Sequence, residues 1–221
     1  MTFLNDNLST INKGLVCPYC NCGTELVTDK DIYGPQSNYG GMFYRCLNNK
    51  DHYVGTHSDN KTSLGRLADK ELRPWKSLGH SLQRIALDQN IFCRTQQVYN
   101  WLSHRMELDR NLTHFGMFDI PKCKKAISLL IDKITDPDIS PEEGRYIDEF
   151  GVIYSADRTK LIDAHNACFM TGSYDLLPET RIICSGAFHH LRNIKNISFN
   201  QGLQIVGREA FNRCSNWDEC R

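Results

Sequence analysis

Three cysteines fall within six positions in VCPYCNCG, residues 16–23, and the pair Cys17 and Cys20 is the feature that most narrows what this chain can become. A Cys-x-x-Cys pair fits half of a metal site, the start of a disulfide framework or a redox couple, so the rest of the chain has to decide. Downstream, GGMFYRCLNNKDHYVGTH supplies Cys46, His52 and His57. The intervening segment carries two turn signals, TDKDIYG and PQSNYGG, around short β-prone runs. Two ligand-bearing turns at hairpin ends, converging on one tetrahedral ion, make a zinc ribbon. The metal then replaces the core that about 45 residues cannot build alone. Cys17, Cys20, Cys46 and His52 are assigned as ligands of one structural Zn2+, with His57 the alternative fourth ligand and Cys22 a spare thiol.

Ten cysteines in 221 residues is a high count, and their setting follows from what surrounds them. MTFLNDNLSTINKG has no basic start and no apolar run of export-signal length, and no stretch approaches a membrane span. A reducing, cytoplasmic location is therefore expected, where cysteines bind metal or sit as buried thiols. The redox reading lacks the βαβ context it needs.

Residues 63–135 read as helical. Leu67, Leu72, Leu78, Leu82 and Ile85 recur at helical spacing and form one apolar face, with Pro74 near the start of the main helix or dividing a short helix from a longer one. Thr95 is expected to cap a second helix bearing Val98, Trp101, Leu102 and Met106. Asp119 caps a third, with Pro121 in its first turn and Ile127, Leu130, Ile131 and Ile134 along one side. These side chains are read as core, and His114 with Cys123 as packing rather than a second metal site.

A net charge of zero conceals an uneven distribution. Residues 1–62 carry five basic and six acidic side chains, residues 63–135 twelve and seven, and residues 136–221 nine and thirteen. The middle region bears Arg66, Lys70, Arg73, Lys76, Arg84, Lys122, Lys124 and Lys125, beside a ribbon with Tyr33, Tyr39, Phe43 and Tyr44. Two readings stand: a phosphate-tracking or partner-contacting face with aromatic platforms, or a solvated helix face that balances the acidic C-terminal part.

CPYC, IYG, NYGGMFYRC, YVGTH and LGRLADKELRPWK, continuing through RTQQVYNWLSHRMEL and HFGMFDIPKCKKAI, together resemble a zinc-finger-containing domain of uncharacterised function found in bacteria, phages and other mobile elements. The resemblance covers about residues 15–132. Members usually carry a cysteine just before the Asp-x-Tyr-Val-Gly stretch, where this chain has Lys50, and His52 would supply the missing ligand. The family lends structure and context but no catalytic residues.

Beyond TDPDISPEEGRYIDEF (135–150), within which 136–146 reads as an acidic linker by composition, the pattern changes. RIICSGAF (181–188) matches QIVGREAF (204–211) at a 23-residue shift: Ile182 with Ile205, Ile183 with Val206, Ala187 with Ala210 and Phe188 with Phe211. A fixed period in this range signals a solenoid. GVIYSADRTKLI reads as a hairpin turning at Ala156–Arg158 that caps the first repeat. Residues 147–221 resemble the BspA-type leucine-rich repeats, in which an Ala-Phe pair packs inside each turn. Gly207 matches a family glycine that Cys184 replaces in the preceding repeat. Cys168, Cys184, Cys214 and Cys220 are read as buried thiols rather than a second zinc site.

The expected architecture is α+β: a polar tail (1–14), a zinc ribbon (15–62), a basic helical region (63–135), the linker, and a short leucine-rich-repeat solenoid (147–221). No hydrolase, phosphate-loop or zinc-protease motif is found, so no enzyme is expected. The functional expectation is a non-enzymatic macromolecule-binding protein of phage or mobile-element type. Its target would be a host protein or ribonucleoprotein machine, such as a CRISPR-type defence complex, which it would inhibit. Self-association through the short repeat is also open. A stand-alone DNA- or RNA-binding zinc-ribbon module is the first alternative, and an unrecognised nuclease the second.

Overall fold

The computed structural model describes residues 8–89, 91–136, 144–164, 172–189, Leu191 and 194–214. The fold mixes helices and strands and divides into two units, Met1–Ile127 and Ser128–Arg221. Among the described residues no helix is long and apolar enough to cross a membrane.

After a helical stretch at residues 8–12, within the expected polar tail, the first unit forms a three-stranded antiparallel sheet, β1 (Thr24–Thr28), β2 (Met42–Cys46) and β3 (Tyr53–Gly55), in the order β1-β2-β3. Thr24 pairs with Cys46 and Arg45 with Tyr53, so the start of β1, the end of β2 and the start of β3 lie together at the end of the sheet that carries the cysteine turn. TDKDIYG does not form a simple turn. Asp29–Tyr33 is a short helix, because the Asp31 carboxylate accepts hydrogen bonds from the Thr28 main-chain N–H at 2.9 Å and its hydroxyl at 2.7 Å.

The helices Leu72–Asp88, Thr95–Met106 and Ile120–Ile134 follow. Pro74 lies in the first turn of the first, where its missing N–H costs nothing. The buried stripe of that helix is Leu72, Gly79, Leu82, Gln83 and Ala86. Leu78, expected on that stripe, is 43% exposed. At about 100° per residue it points well to one side of the line through Leu72, Gly79 and Ala86. Leu67 is fully buried but precedes the helix and serves the ribbon instead. Thr95 is the first helical residue of the next helix rather than its cap, because its Oγ1 is taken up accepting from Gln83 Nε2 at 3.2 Å. Asp119 does cap the third helix, its Oδ1 accepting from Lys122 N at 3.0 Å. His114 and Cys123 are packing: His114 Nδ1 accepts from Gly116 N, and Cys123 is fully buried.

Two distant stretches of the first unit meet main chain to main chain. Arg66 N donates to Gly116 O at 3.0 Å, and Lys76 Nζ donates to both Gly116 O at 2.7 Å and Arg66 O at 3.1 Å. A Cβ on Gly65 would strike the Gly116 carbonyl, and one on Gly116 the Leu64 carbonyl. Gly65 also has a φ of +140°, which only glycine adopts readily. The LGRLADKELRPWK and HFGMFDIPKCKKAI stretches are thus two sides of one seam, and Gly79 lies flat under the Phe115 ring beside it.

In the second unit a five-stranded sheet runs β10-β8-β6-β5-β4, from β4 (Arg145–Ile147), β5 (Ile153–Ser155), β6 (Lys160–Asp163), β8 (Ile182–Ile183) and β10 (Ile205–Val206). The β5–β6 hairpin turns at Ala156–Arg158, where Arg158 takes a φ of 61°. β6, β8 and β10 are parallel: Lys160 pairs with Ile182, and Ile182 with Ile205. The residues matched at the 23-residue shift are therefore direct neighbours. Phe188 N donates to Ala210 O at 2.7 Å and the Phe188 and Phe211 rings stack at 5.0 Å. A second parallel pair joins β7 (Gly172–Asp175) to β9 (Ile194–Ser198). The core between them holds Tyr154, Leu161, Tyr174, Ile183, Phe188, Ile194 and Ala210.

Strand β4 reaches into the last residues of the stretch read as an acidic linker. Thr135 is buried, its carbonyl accepting from Ser185 N, and β4 begins at Arg145 with Tyr146 turned towards the core. Residues 137–143 lie outside the described residues, as do residues 1–7 of the polar tail and Cys168 and Cys220. Cys184 is fully buried and the Cys214 thiol donates to Phe188 O at 3.0 Å. The eight described cysteines are free thiols.

Candidate metal centre

Two tight turns build the centre. In the first, Cys17 N donates to Cys22 O at 2.8 Å and Asn21 N to Cys17 O at 2.9 Å, with Pro18 setting the bend and Asn21 at a φ of 51°. In the second, Cys46 N donates to His52 O at 2.9 Å and His52 N to Asn49 O at 3.1 Å. Leu47 N donates to Gly23 O, which holds the two turns side by side.

Cys17, Cys20, Cys46 and His52 are brought together, their ligand atoms all within 4.8 Å of one another. His52 Nδ1 lies 3.4 Å from Cys17 Sγ and 3.5 Å from Cys20 Sγ. Zn–S bonds of about 2.3 Å and Zn–N bonds of about 2.0–2.1 Å at tetrahedral angles put S and N about 3.6 Å apart. Three sulfurs and one imidazole at this spacing therefore fit a zinc ion. The donor set is closed, as in structural rather than catalytic sites. Cys17 and Cys46 are each 1% exposed, and Leu67 packs on them. Burial, then the neighbouring Cys46 and Cys17 thiols, pushes the Cys20 thiol up to about 12. A bound cation reverses that balance and keeps the sulfurs as thiolates.

Cys22 is not in the set, though its Sγ stands 3.3 Å from that of Cys46. His57 is exposed at the start of the 57–62 loop, where its N–H donates to Thr62 O and closes the loop's base, and its ring is not among the converging ligand atoms. Replacement of His52 by alanine is therefore expected to weaken zinc retention by tenfold or more, while His57→Ala leaves it unchanged. Competition with a chromophoric chelator measures both, and the opposite ranking transfers the ligand role to His57.

The residues that steady His52 were not foreseen. The Tyr19 ring packs on the imidazole with centroids 4.4 Å apart, and the Tyr19 hydroxyl accepts from Asp69 N. Asp51, next in sequence, is held by Arg73 at 2.6 Å, while Arg73 also donates to Ala68 O and lies 4.3 Å over the Tyr53 ring. The Arg73 hydrogen bond keeps the Asp51 carboxyl below its ordinary range. Asn49 Nδ2 lies 3.3 Å from His52 Nε2, the nitrogen opposite the ligand atom. The aromatic residue inside CPYC was the available signal for Tyr19.

The other basic residues proposed as contacts divide. Lys76 is partly buried, and desolvation brings its ammonium down to about 8. Arg66 is mostly covered, with Nη1 4.0 Å from Asp119. Lys122 pairs with Asp119 at 2.8 Å, and Lys124 sits 4.8 Å over Trp75. Lys70, Arg84 and Lys125 are exposed. Tyr33, Tyr39, Phe43 and Tyr53 form one edge-to-face cluster with Tyr39 76% exposed, whereas Tyr44 stands apart and donates to Lys61 O.

Residues 13–133 match a family described as a zinc-finger-containing domain, a range that includes all four converging ligands. No curated protein matches the chain. A solved structure, titled "The Crystal structure of Pneumococcal vaccine antigen PcpA", is 26% identical over 37% of this chain and 20% of its own, with a TM-score of 0.33. This chain thus spans about a fifth of that protein, and a likeness so partial carries no argument about the fold.

Proposed function

Since this chain belongs to the family of zinc-finger-containing domains that its residues 13–133 match, we propose that it is a non-enzymatic binding protein in which a structural zinc ion organises the first unit and the second unit holds a macromolecular partner. The observation that carries this reading is the closed Cys17, Cys20, Cys46 and His52 donor set, which leaves an ion no open position for substrate. The second unit is read as a short leucine-rich repeat. Its support is the direct pairing of Ile182 with Ile205 and the repeated Ala187–Phe188 and Ala210–Phe211 steps. Such repeats present rigid surfaces to proteins. The partner is a host protein or ribonucleoprotein machine that binding inhibits, in keeping with the phage and mobile-element setting the family resemblance implies.

A second reading, direct DNA or RNA binding, draws on exposed Lys70, Arg84 and Lys125 and on Tyr39. The inward commitments of Arg73 and Lys76 leave that face weaker than its sequence suggests. Capture by the full chain from bacterial lysate is expected to recover the same protein at low and high salt and after nuclease treatment. Tight binding of a free oligonucleotide that falls about a thousandfold or more over a fourfold rise in salt overturns this assignment.

A further inference from the structure

The second unit contains a cavity of about 490 Å³ whose chemistry nothing above uses. One wall is the turn between β4 and β5: Asp148 Oδ1 accepts from Phe150 N at 2.9 Å and Val152 N at 2.8 Å, which folds Asp148–Val152 back on itself. The other wall is strand β7, with Ser173 and Asp175 facing solvent and Tyr174 buried. Tyr174 joins the walls, its hydroxyl donating to Asp148 Oδ2 at 2.6 Å. The turn is therefore pinned rather than loose, and the cavity is preformed.

Its lining is aromatic and anionic. Phe150, 47% exposed, meets Tyr174 edge to face with centroids 5.8 Å apart, and Tyr146 completes the apolar part. Asp148, Glu149 and Asp175 supply negative charge, and no lining residue is basic. Among the described residues no lysine or arginine pairs with any of these carboxylates. Anions are excluded by charge. A metal ion is excluded by geometry, since Cys17, Cys20, Cys46 and His52 are the one convergent ligand group among the described residues. Rings beside carboxylates suit an organic cation, which gains from the ring face and the charge together. The chain already makes half of this arrangement for itself, with the Arg158 guanidinium 4.2 Å over the Tyr146 ring. The volume falls within the range of about 300–1,000 Å³ typical of sites for small groups.

We propose that this cavity receives an arginine or lysine side chain of a basic peptide segment on the partner. The inference rests on the partner-binding reading of the second unit and names the chemistry recognised. Short blocked peptides test it on the full chain: acetyl-Gly-Arg-Gly-amide and acetyl-Gly-Lys-Gly-amide, with the Gln and norleucine analogues as controls. Amide chemical shifts of residues 148–150 and 173–177 are expected to move saturably with the two cationic peptides alone. Phe150→Ala and the pair Glu149→Gln with Asp175→Asn are each expected to weaken that response about five- to tenfold. All three residues are at the surface, so the variants keep their fold, which the unchanged remainder of the spectrum verifies. Equal response to the Gln or norleucine peptide, no response to the cationic ones, or variants that bind like the parent overturn the proposal. Salt-tolerant capture of a protein partner alongside any of these results removes the cavity assignment and leaves the partner-binding reading standing.

Discussion

Stripped of metal by a strong chelator, the first unit is expected to lose its cooperative thermal transition, and the purified protein is expected to yield one zinc per chain. The ribbon has little else to hold it: three short strands, and a small core in which Cys17, Cys46 and Leu67 are themselves the buried residues. Binding of structural zinc contributes about 10–16 kcal/mol in small metal-dependent fingers, more than any single packing contact. Cys17→Ser and Cys46→Ser each leave three ligands and a buried hydroxyl, and both are expected to melt far below the parent. Calorimetry with metal analysis checks this. Normal melting without metal, or in either serine variant, rejects the ribbon as a metal-dependent fold.

Gly116→Ala is expected to be nearly as damaging, although it adds one methyl group and touches none of the four converging residues. The new Cβ would collide with the Leu64 carbonyl, a main-chain atom that cannot swing aside as a side chain would. Two hydrogen bonds to Gly116 O, from Arg66 N and Lys76 Nζ, depend on the same close approach. Opening the seam would also leave the partly buried Lys76 amine short of acceptors. A loss of about 3 kcal/mol is expected, at the upper end for overpacked cores, read as a lower midpoint in denaturant at unchanged slope. A Cβ on Gly40 or Gly41 would meet no close atom, so strain at positive φ alone sets the smaller cost of Gly40→Ala and Gly41→Ala. Parent-like stability of Gly116→Ala would show the seam to be slack.

The convergence of Cys17, Cys20, Cys46 and His52 was legible because the pattern is local: Cys-x-x-Cys, then Cys and His after a hairpin's worth of chain. Ile182 and Ile205, matched in the sequence at a 23-residue shift, lie side by side on β8 and β10. Position on the surface was harder to read. Arg73 and Lys76 carry free charges in the sequence, yet long side chains lay their stems along apolar surface and find carbonyls or carboxylates at reach. Leu78 fitted a list of leucines but not the face, since the helix turns on Gly79, whose missing side chain makes room for Phe115. β4 hid inside an acidic stretch because one inward residue, Tyr146, suffices to seat a three-residue strand. The Gly65–Gly116 seam left no local signal at all, because it is a contact between main chains some fifty residues apart.

That seam and the metal turns stand at different depths in the chain, and this sets an order of events during synthesis. The last ligand, His52, emerges 64 residues ahead of Gly116. At translation rates of about 5–20 residues per second, the growing chain carries a complete donor set for about 3–13 s before the seam has its second side. The donor set is thus complete in sequence before Leu67 and Arg73, which cover the cysteines and Asp51, and long before the seam. In the finished protein an ion at this site would lie behind Leu67 and the 1% exposed Cys17 and Cys46, so its exchange would have to open packed structure rather than merely win a competition for ligands.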